Sequence, residues 1–259
     1  MIEILYFLVI IAASAIGAIA GMGGGVIIKP ILDFIGYHPV ISVSFYSTVA
    51  VFAMSIASTI RQIKSGPNFR WQMIFWISLS AVVGGVLGNI VFEELLLRLR
   101  NDGLVTEIQI VITVISLGFA FLYMNFNWKS WALNHAFYYV ICGFSLGFLA
   151  SLLSIGGGPI NVALMMLMFG INIKEATIYS ICTIFFSQLA KLVTIGLGSG
   201  FSEHDLSILW FIVPAAILGG TIGAKLSQQL TSEKVKLTFQ WVILLVIGIN
   251  VFNFISSVG

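Results

Sequence analysis

Eight long apolar runs constrain this chain more than any other feature, at residues 4–20, 41–60, 71–92, 108–124, 137–153, 176–197, 206–224 and 237–255. Each is close to the ~20 residues that a helix needs to cross a bilayer core. Hydrocarbon offers backbone groups no hydrogen-bond partner, so runs of this length specify helices, which satisfy themselves. With 59% apolar and only 8% charged residues, a chain of 259 residues cannot coat a water-soluble globule. The fold class is an all-α polytopic membrane protein whose permanent partner is the lipid bilayer. Ala18 and Ala20 in the first run resemble a signal-peptide cleavage site, but no basic segment precedes them and a similar segment recurs in mid-chain. That run is read as a retained helix.

Two further apolar runs, 26–35 and 159–169, are only about half a span long, and each follows a glycine cluster: GMGGGVIIKP at 21–30 and SIGGGPINVA at 154–163. An offset of 133 lays Gly23, Gly24 and Gly25 on Gly156, Gly157 and Gly158, Tyr46 and Ser47 on Tyr179 and Ser180, and Phe52 on Phe185. With a slip of one or two residues, Gly66 meets Gly200, and Gly84, Gly85 and Gly88 meet Gly219, Gly220 and Gly223. The chain reads as one unit written twice, residues 1–127 and 128–259. Each unit is a helix, a glycine break, a half-helix and three full helices.

Loop charge reverses sign between the copies. Arg61, Lys64 and Arg70 in the first correspond to Glu203, His204 and Asp205 in the second, and Glu93, Glu94, Arg98, Arg100, Asp102 and Glu107 correspond to Lys225, Glu233, Lys234 and Lys236. By the positive-inside rule the copies are expected to be inverted repeats, which requires an odd number of crossings in each. A hairpin around each break followed by three transmembrane helices supplies that number and leaves both termini outside. Trp71, Trp128, Trp131 and Trp210 then fall near membrane interfaces.

Broken helices at membrane depth are tolerated only where protein or a watery cavity takes up the freed backbone groups. Paired breaks in inverted repeats are a recurring plan of secondary transporters, with half-helix N-termini aimed at an anion near the midplane. Glycine lets an oxyanion approach the backbone, so Gly23, Gly24, Gly25, Gly156, Gly157 and Gly158 are candidate substrate contacts. Gly84, Gly85, Gly88, Gly219, Gly220 and Gly223 are instead expected to let helices pack closely. A sulfonate, sulfite or carboxylate would suit the breaks.

The duplicated motifs GMGGGVIIKPIL and SIGGGPINVALM, with the polar helices VSFYSTVAVF and TIYSICTIFF after them, resemble the sulfite exporter TauE/SafE family of membrane transporters over nearly the whole chain. The resemblance implies movement of sulfur-containing anions, inorganic or organosulfonate, across a prokaryotic cytoplasmic membrane. The copies differ where Ala163 replaces Pro30 and Ser154 replaces Gly21.

Polar groups inside the apolar runs complete the candidate site. Ser187, Gln188 and Lys191 share one helix face, and Lys191 is either a counter-charge for an anion or a snorkelling lysine that reaches the headgroups. Lys29 either pairs with Asp33 four residues on or assists the anion site, and Asn161 either lines the site or caps the break. Ser47, Thr48, Ser180 and Thr183 are hydroxyls on the paired helices after the breaks, a type that commonly bonds its own helix. No cofactor or metal is expected. The histidines fall in loops and the acids near helix ends, so the driving ion, H+ or Na+, stays open, as does the oligomeric state.

Other classes fit less well. There is no HExxH, GxSxG or metal-ligand spacing, so an enzyme is not expected, and Cys142 and Cys182 read as buried packing residues. A net charge of +2 spread over loops gives no footprint for nucleic acid. The alternatives that stand are an anion channel, or a transporter of another carboxylate or inorganic anion.

Overall fold

The computed structural model describes residues 2–64, 70–126, 128–198, 200–201 and 204–258. Gly66 and Glu203, used above in matching the halves, lie outside the described residues, as does the side chain of Lys64. Among the described residues the regular structure is all helical. Its first half holds α1 (Ile2–Ala20), α2 (Gly25–Ile35), α3 (Val40–Lys64), α4 (Trp71–Leu99) and α5 (Asp102–Asn125). The second holds α6 (Ala136–Leu152), α7 (Pro159–Phe169), α8 (Ile173–Leu197), α9 (Leu209–Gln229) and α10 (Ser232–Val258), with a 3-10 turn at Leu206–Ile208 leading into α9. Among the described residues seven helices are long and apolar enough to cross a membrane. The half-helices α2 and α7 have 11 residues each, and α6 has 17, slightly short of the full span expected for 137–153.

Several helices outrun their apolar stretches, and at α5 and α8 a polar cap fixes where the helix starts. Asn101 accepts from the N–H groups of Gly103 and Leu104 and starts α5, and Asn172 accepts from Glu175 N and starts α8. Helix α4 continues beyond its apolar run through the exposed Glu94–Arg98 pair, 2.7 Å apart.

In both halves the break folds the chain back. The Tyr6 hydroxyl, near the start of α1, shares a 2.9 Å hydrogen bond with His38 Nδ1, just beyond α2. In the second half, Trp131 N and Leu133 N, ahead of α6, donate to Leu167 O and Met168 O at the end of α7, both at 2.8 Å. Each pair of helices is therefore a hairpin whose ends meet.

The most extensive packing crosses between the halves: α4 lies along α6, and α1 along α9. Glycines set these approaches. A Cβ on Gly84 or Gly88 would meet the carbonyls of Phe144 and Phe148 on α6, and one on Gly219 or Gly223 would meet those of Ile11 and Ala15 on α1. Likewise Gly85 faces Ser187 O on α8, and Gly220 faces Met54 O on α3. The paired partners Phe144 and Ile11, Phe148 and Ala15, and Ser187 and Met54 are each separated by the interval that separates the GGG runs. These six glycines are small-residue contacts that let backbones touch, as expected for helix packing in lipid. Cys142 and Cys182 are free and buried.

Candidate functional site

The two breaks meet in the interior. Gly23 has φ +66° and Gly156 φ +68°, a left-handed conformation that disfavours residues with a Cβ, and this turns the unwound chain between each longer helix and its half-helix, after Gly21 (φ +72°) and Ser154 (φ +57°) have ended α1 and α6. A Cβ on Gly23 would lie 2.9 Å from Gly156 O, and one on Gly25 would overlap Ile155 O. The starts of α2 and α7 adjoin too, since a Cβ on Gly158 would be 3.8 Å from Val26 Cγ2. Two apolar side chains wedge the crossing from α3 and α8. Val51 abuts Gly23, Gly25 and Gly156, and Ile184 abuts Gly23 and Gly157. Val51 and Ile184 were not anticipated, although each stands one turn beyond the matched serines Ser47 and Ser180 and they repeat at the same interval.

Buried polar atoms surround this crossing. Asn161, in the first turn of α7, is 1% exposed, and neither its amide nitrogen nor its amide oxygen has a hydrogen-bond partner among the described residues. Its nitrogen lies beside Gly157, 2.7 Å from where a Cβ would stand. Ser47 Oγ and Gln188 Oε1 are also buried without partners among the described residues, as are Ser14 Oγ and Ser151 Oγ, which the sequence did not single out. Leaving such groups unpaired in an apolar interior costs about 1–3 kcal/mol each. Asn161 and Ser14, whose Cα lies 3.0 Å from where a Cβ on Gly24 would stand, border the crossing, while Thr59, Ser78 and Gln109 also carry buried side-chain atoms without a partner among the described residues.

The remaining hydroxyls are engaged. Thr48 Oγ1 donates to Ser44 O at 2.7 Å and Thr183 Oγ1 to Tyr179 O at 2.9 Å, both within their own helices. Ser187 Oγ likewise donates to Ile184 O at 3.1 Å. Ser180 differs, because its Oγ donates to Gly21 O of the first break at 2.6 Å and ties α8 to that break.

The two intramembrane lysines have distinct roles. Lys29 is buried and pairs with Asp33 at 2.7 Å, an ion pair within α2. Lys191 is fully buried and points into the protein interior. Its ammonium donates to Ser154 Oγ at 2.7 Å and to Ser44 Oγ and Ser151 O at 3.0 Å each, and it lies 5.0 Å from the centroid of the Phe92 ring. Ser44, Ser151 and Ser154 carry no recognisable sequence signal for this role, because 147, 40 and 37 residues separate them from Lys191.

Aromatic and polar groups close the ends of the hairpins. Tyr46 donates to Asp205 O at 3.2 Å, and its repeat counterpart Tyr179 accepts from Arg70 N at 3.0 Å. His38 packs against Tyr6, Tyr37 and Tyr46, and His204 stacks on Phe45 with ring centroids 4.3 Å apart. Burial holds the His38 pKa below its ordinary value, with the Asp205 carboxylate pulling the other way. Hydrogen bonds from Ser207 hold Asp205 below the usual carboxylate range.

Membrane-length helices enclosing two broken helices in contact, with unpaired polar groups at the crossing, define a membrane transport protein. The comparisons agree and give the family. Residues 6–251 match the family model "Sulfite exporter TauE/SafE", and the chain belongs to that family. It is 24% identical over 271 aligned residues to the probable membrane transporter protein YunE of Bacillus subtilis (strain 168), an alignment covering 90% of this chain and 92% of that protein. No solved structure matches the chain.

Proposed function

We propose that this protein is a secondary transporter of small sulfur-containing oxyanions, such as sulfite or an organosulfonate, acting as an exporter in a prokaryotic cytoplasmic membrane. The observation that carries the reading is the crossing of the two breaks beside Asn161, whose buried amide lacks any partner among the described residues. A small oxyanion there would accept from the Asn161 amide N–H and from Ser47 Oγ. It would also meet the N–H groups of Gly25, Val26 and Ile160 at the starts of α2 and α7, since Ile27, Ile28 and Asn161 already donate to Gly24 O and Gly158 O and Pro159 has no N–H. The positive ends of both half-helix dipoles favour the same charge. Gly23, Gly24, Gly25, Gly156, Gly157 and Gly158 form the approach, and Ser180 and Gln188 brace or border it.

The halves 1–127 and 128–259 are the moving parts of this scheme. The closed hairpins, with three further helices per half, favour an inverted arrangement with both termini outside. Alternating access then follows from rocking of one half against the other about the crossing.

The test is thermal-shift screening of the purified protein in detergent with sulfite, sulfate, thiosulfate, sulfoacetate, taurine and simple carboxylates, since a ligand of the folded state raises its apparent stability. Selective stabilisation by a sulfur oxyanion, lost in Asn161→Leu and accompanied by loss of its efflux from proteoliposomes, supports the reading. An unchanged response in Asn161→Leu removes this site, and no response of the wild type to any anion removes the anion. Electrical recording separates the channel alternative, which conducts far faster than a carrier turns over.

A further inference from the structure

The second break holds a buried lysine nitrogen, that of Lys191, where the first half has Ser58. Lys191 spends all three ammonium protons on an oxygen cage built from three elements: Ser44 Oγ from α3, Ser151 O from the C-terminal turn of α6, and Ser154 Oγ from the unwound segment, where Ser154 adopts φ +57°. Ser44 Oγ also donates to Ser154 Oγ at 2.6 Å, so the cage is a connected network. Lys191 is fully buried and forms no ion pair among the described residues, and the nearby charged groups are Lys29 and Glu93. An isolated buried ammonium is costly unless the oxygens around it replace its hydration. In the first half the corresponding position is Ser58, whose Oγ donates to Gly220 O at 3.1 Å, and Gly21 stands in the place of Ser154.

Hydroxyls, an unwound backbone and the carbonyl end of a half-broken helix are the ligand set with which discontinuous helices hold Na+. We infer that the Lys191 ammonium is a tethered substitute for a bound monovalent metal cation, so that the second break is complete without Na+ and the protein works without Na+ coupling. Ser151 Oγ, buried and unpartnered among the described residues, is a further oxygen on the cage that a small cation could use. The consequence for coupling rests on the transport reading above, whereas the cation site itself does not.

The experiment measures the apparent melting temperature of wild type and Lys191→Ala in detergent, titrating NaCl against choline chloride at equal ionic strength. The expected result is an Na+-indifferent wild type and a variant that melts lower and is restored by several degrees, saturably, by Na+ but not by choline. Lys191→Met, which fills the space with an apolar chain, is expected to melt low and stay Na+-insensitive. An identical response of Lys191→Ala to the two salts overturns the inference, as does an Na+-specific stabilisation of the wild type. Should Lys191→Ala not accumulate, Lys191→Asn carries the same comparison. No substrate enters this assay, so its failure leaves the oxyanion reading intact, and failure of the anion screen leaves the cation site intact.

Discussion

Gly25→Ala tests whether the two breaks touch. Gly25 is the first residue of α2, and in an isolated helix alanine would be favoured over glycine by about 1 kcal/mol. In the folded chain the added methyl would overlap Ile155 O and sit 2.7 Å from Val51 Cγ2. The valine can rotate, but the carbonyl belongs to the backbone of the other break and cannot move without displacing it. Overpacking of this kind costs about 1–3 kcal/mol. Offset by the helix gain, about 1 kcal/mol remains, and at about 2–4 °C per kcal/mol for a chain of this size the net fall in melting temperature should be on the order of 3 °C. Gly118→Ala in α5 and Gly248→Ala in α10 are the controls, because a Cβ there meets no atom within 4 Å, and they should be neutral or slightly stabilising. The assay is thermal unfolding of the three variants in one detergent. If Gly25→Ala melts with the controls, the breaks do not cross in contact and the site built on that crossing is wrong.

Asp33→Asn strands the buried Lys29 ammonium and should cost about 3–5 kcal/mol, whereas Lys29→Met with Asp33→Leu should recover most of it; equal melting of the single and double variants would refute a buried pair. Gly84→Ala and Gly223→Ala should each lower stability through separate helix contacts, so the double variant should show nearly additive loss, and strong non-additivity would show the two seams to be coupled. Burial depresses the His38 pKa, so below the ordinary value of ~6.5 the unfolded chain takes up the proton first and stability is lost as pH falls. The wild type should therefore lose more melting temperature between pH 7.5 and 5.5 than His38→Gln, and parallel curves would refute this; Asp205 adds its own loss only below ~4.

What could be read in advance was local. The half-helices expected at 26–35 and 159–169 stand at Gly25–Ile35 and Pro159–Phe169, because glycine runs interrupt a helix at the residue where they occur. The Lys29–Asp33 pair was legible for the same reason, four residues being one helical turn. The partners of Lys191 were not, since Ser44 and Ser154 look like any other membrane serine until the fold brings them around one nitrogen. Nor was the wedge of Val51 and Ile184, whose apolar character suits lipid as well as it suits a glycine crossing. Periodicity gives each helix a face but says nothing of which distant helix that face will meet.

The seam between α1 and α9 sets an order of events at the ribosome. Helix α4 can find α6 soon after both emerge, but the small-residue face of α1 stays uncovered by α9 until that helix is made roughly 190 residues later. At ~5–20 residues per second that wait is on the order of 10–40 s. The first half of the chain is therefore committed to the membrane well before it can be finished, and a nascent chain stalled before Leu209 would present the quality-control machinery with an open α1 surface rather than a folded half.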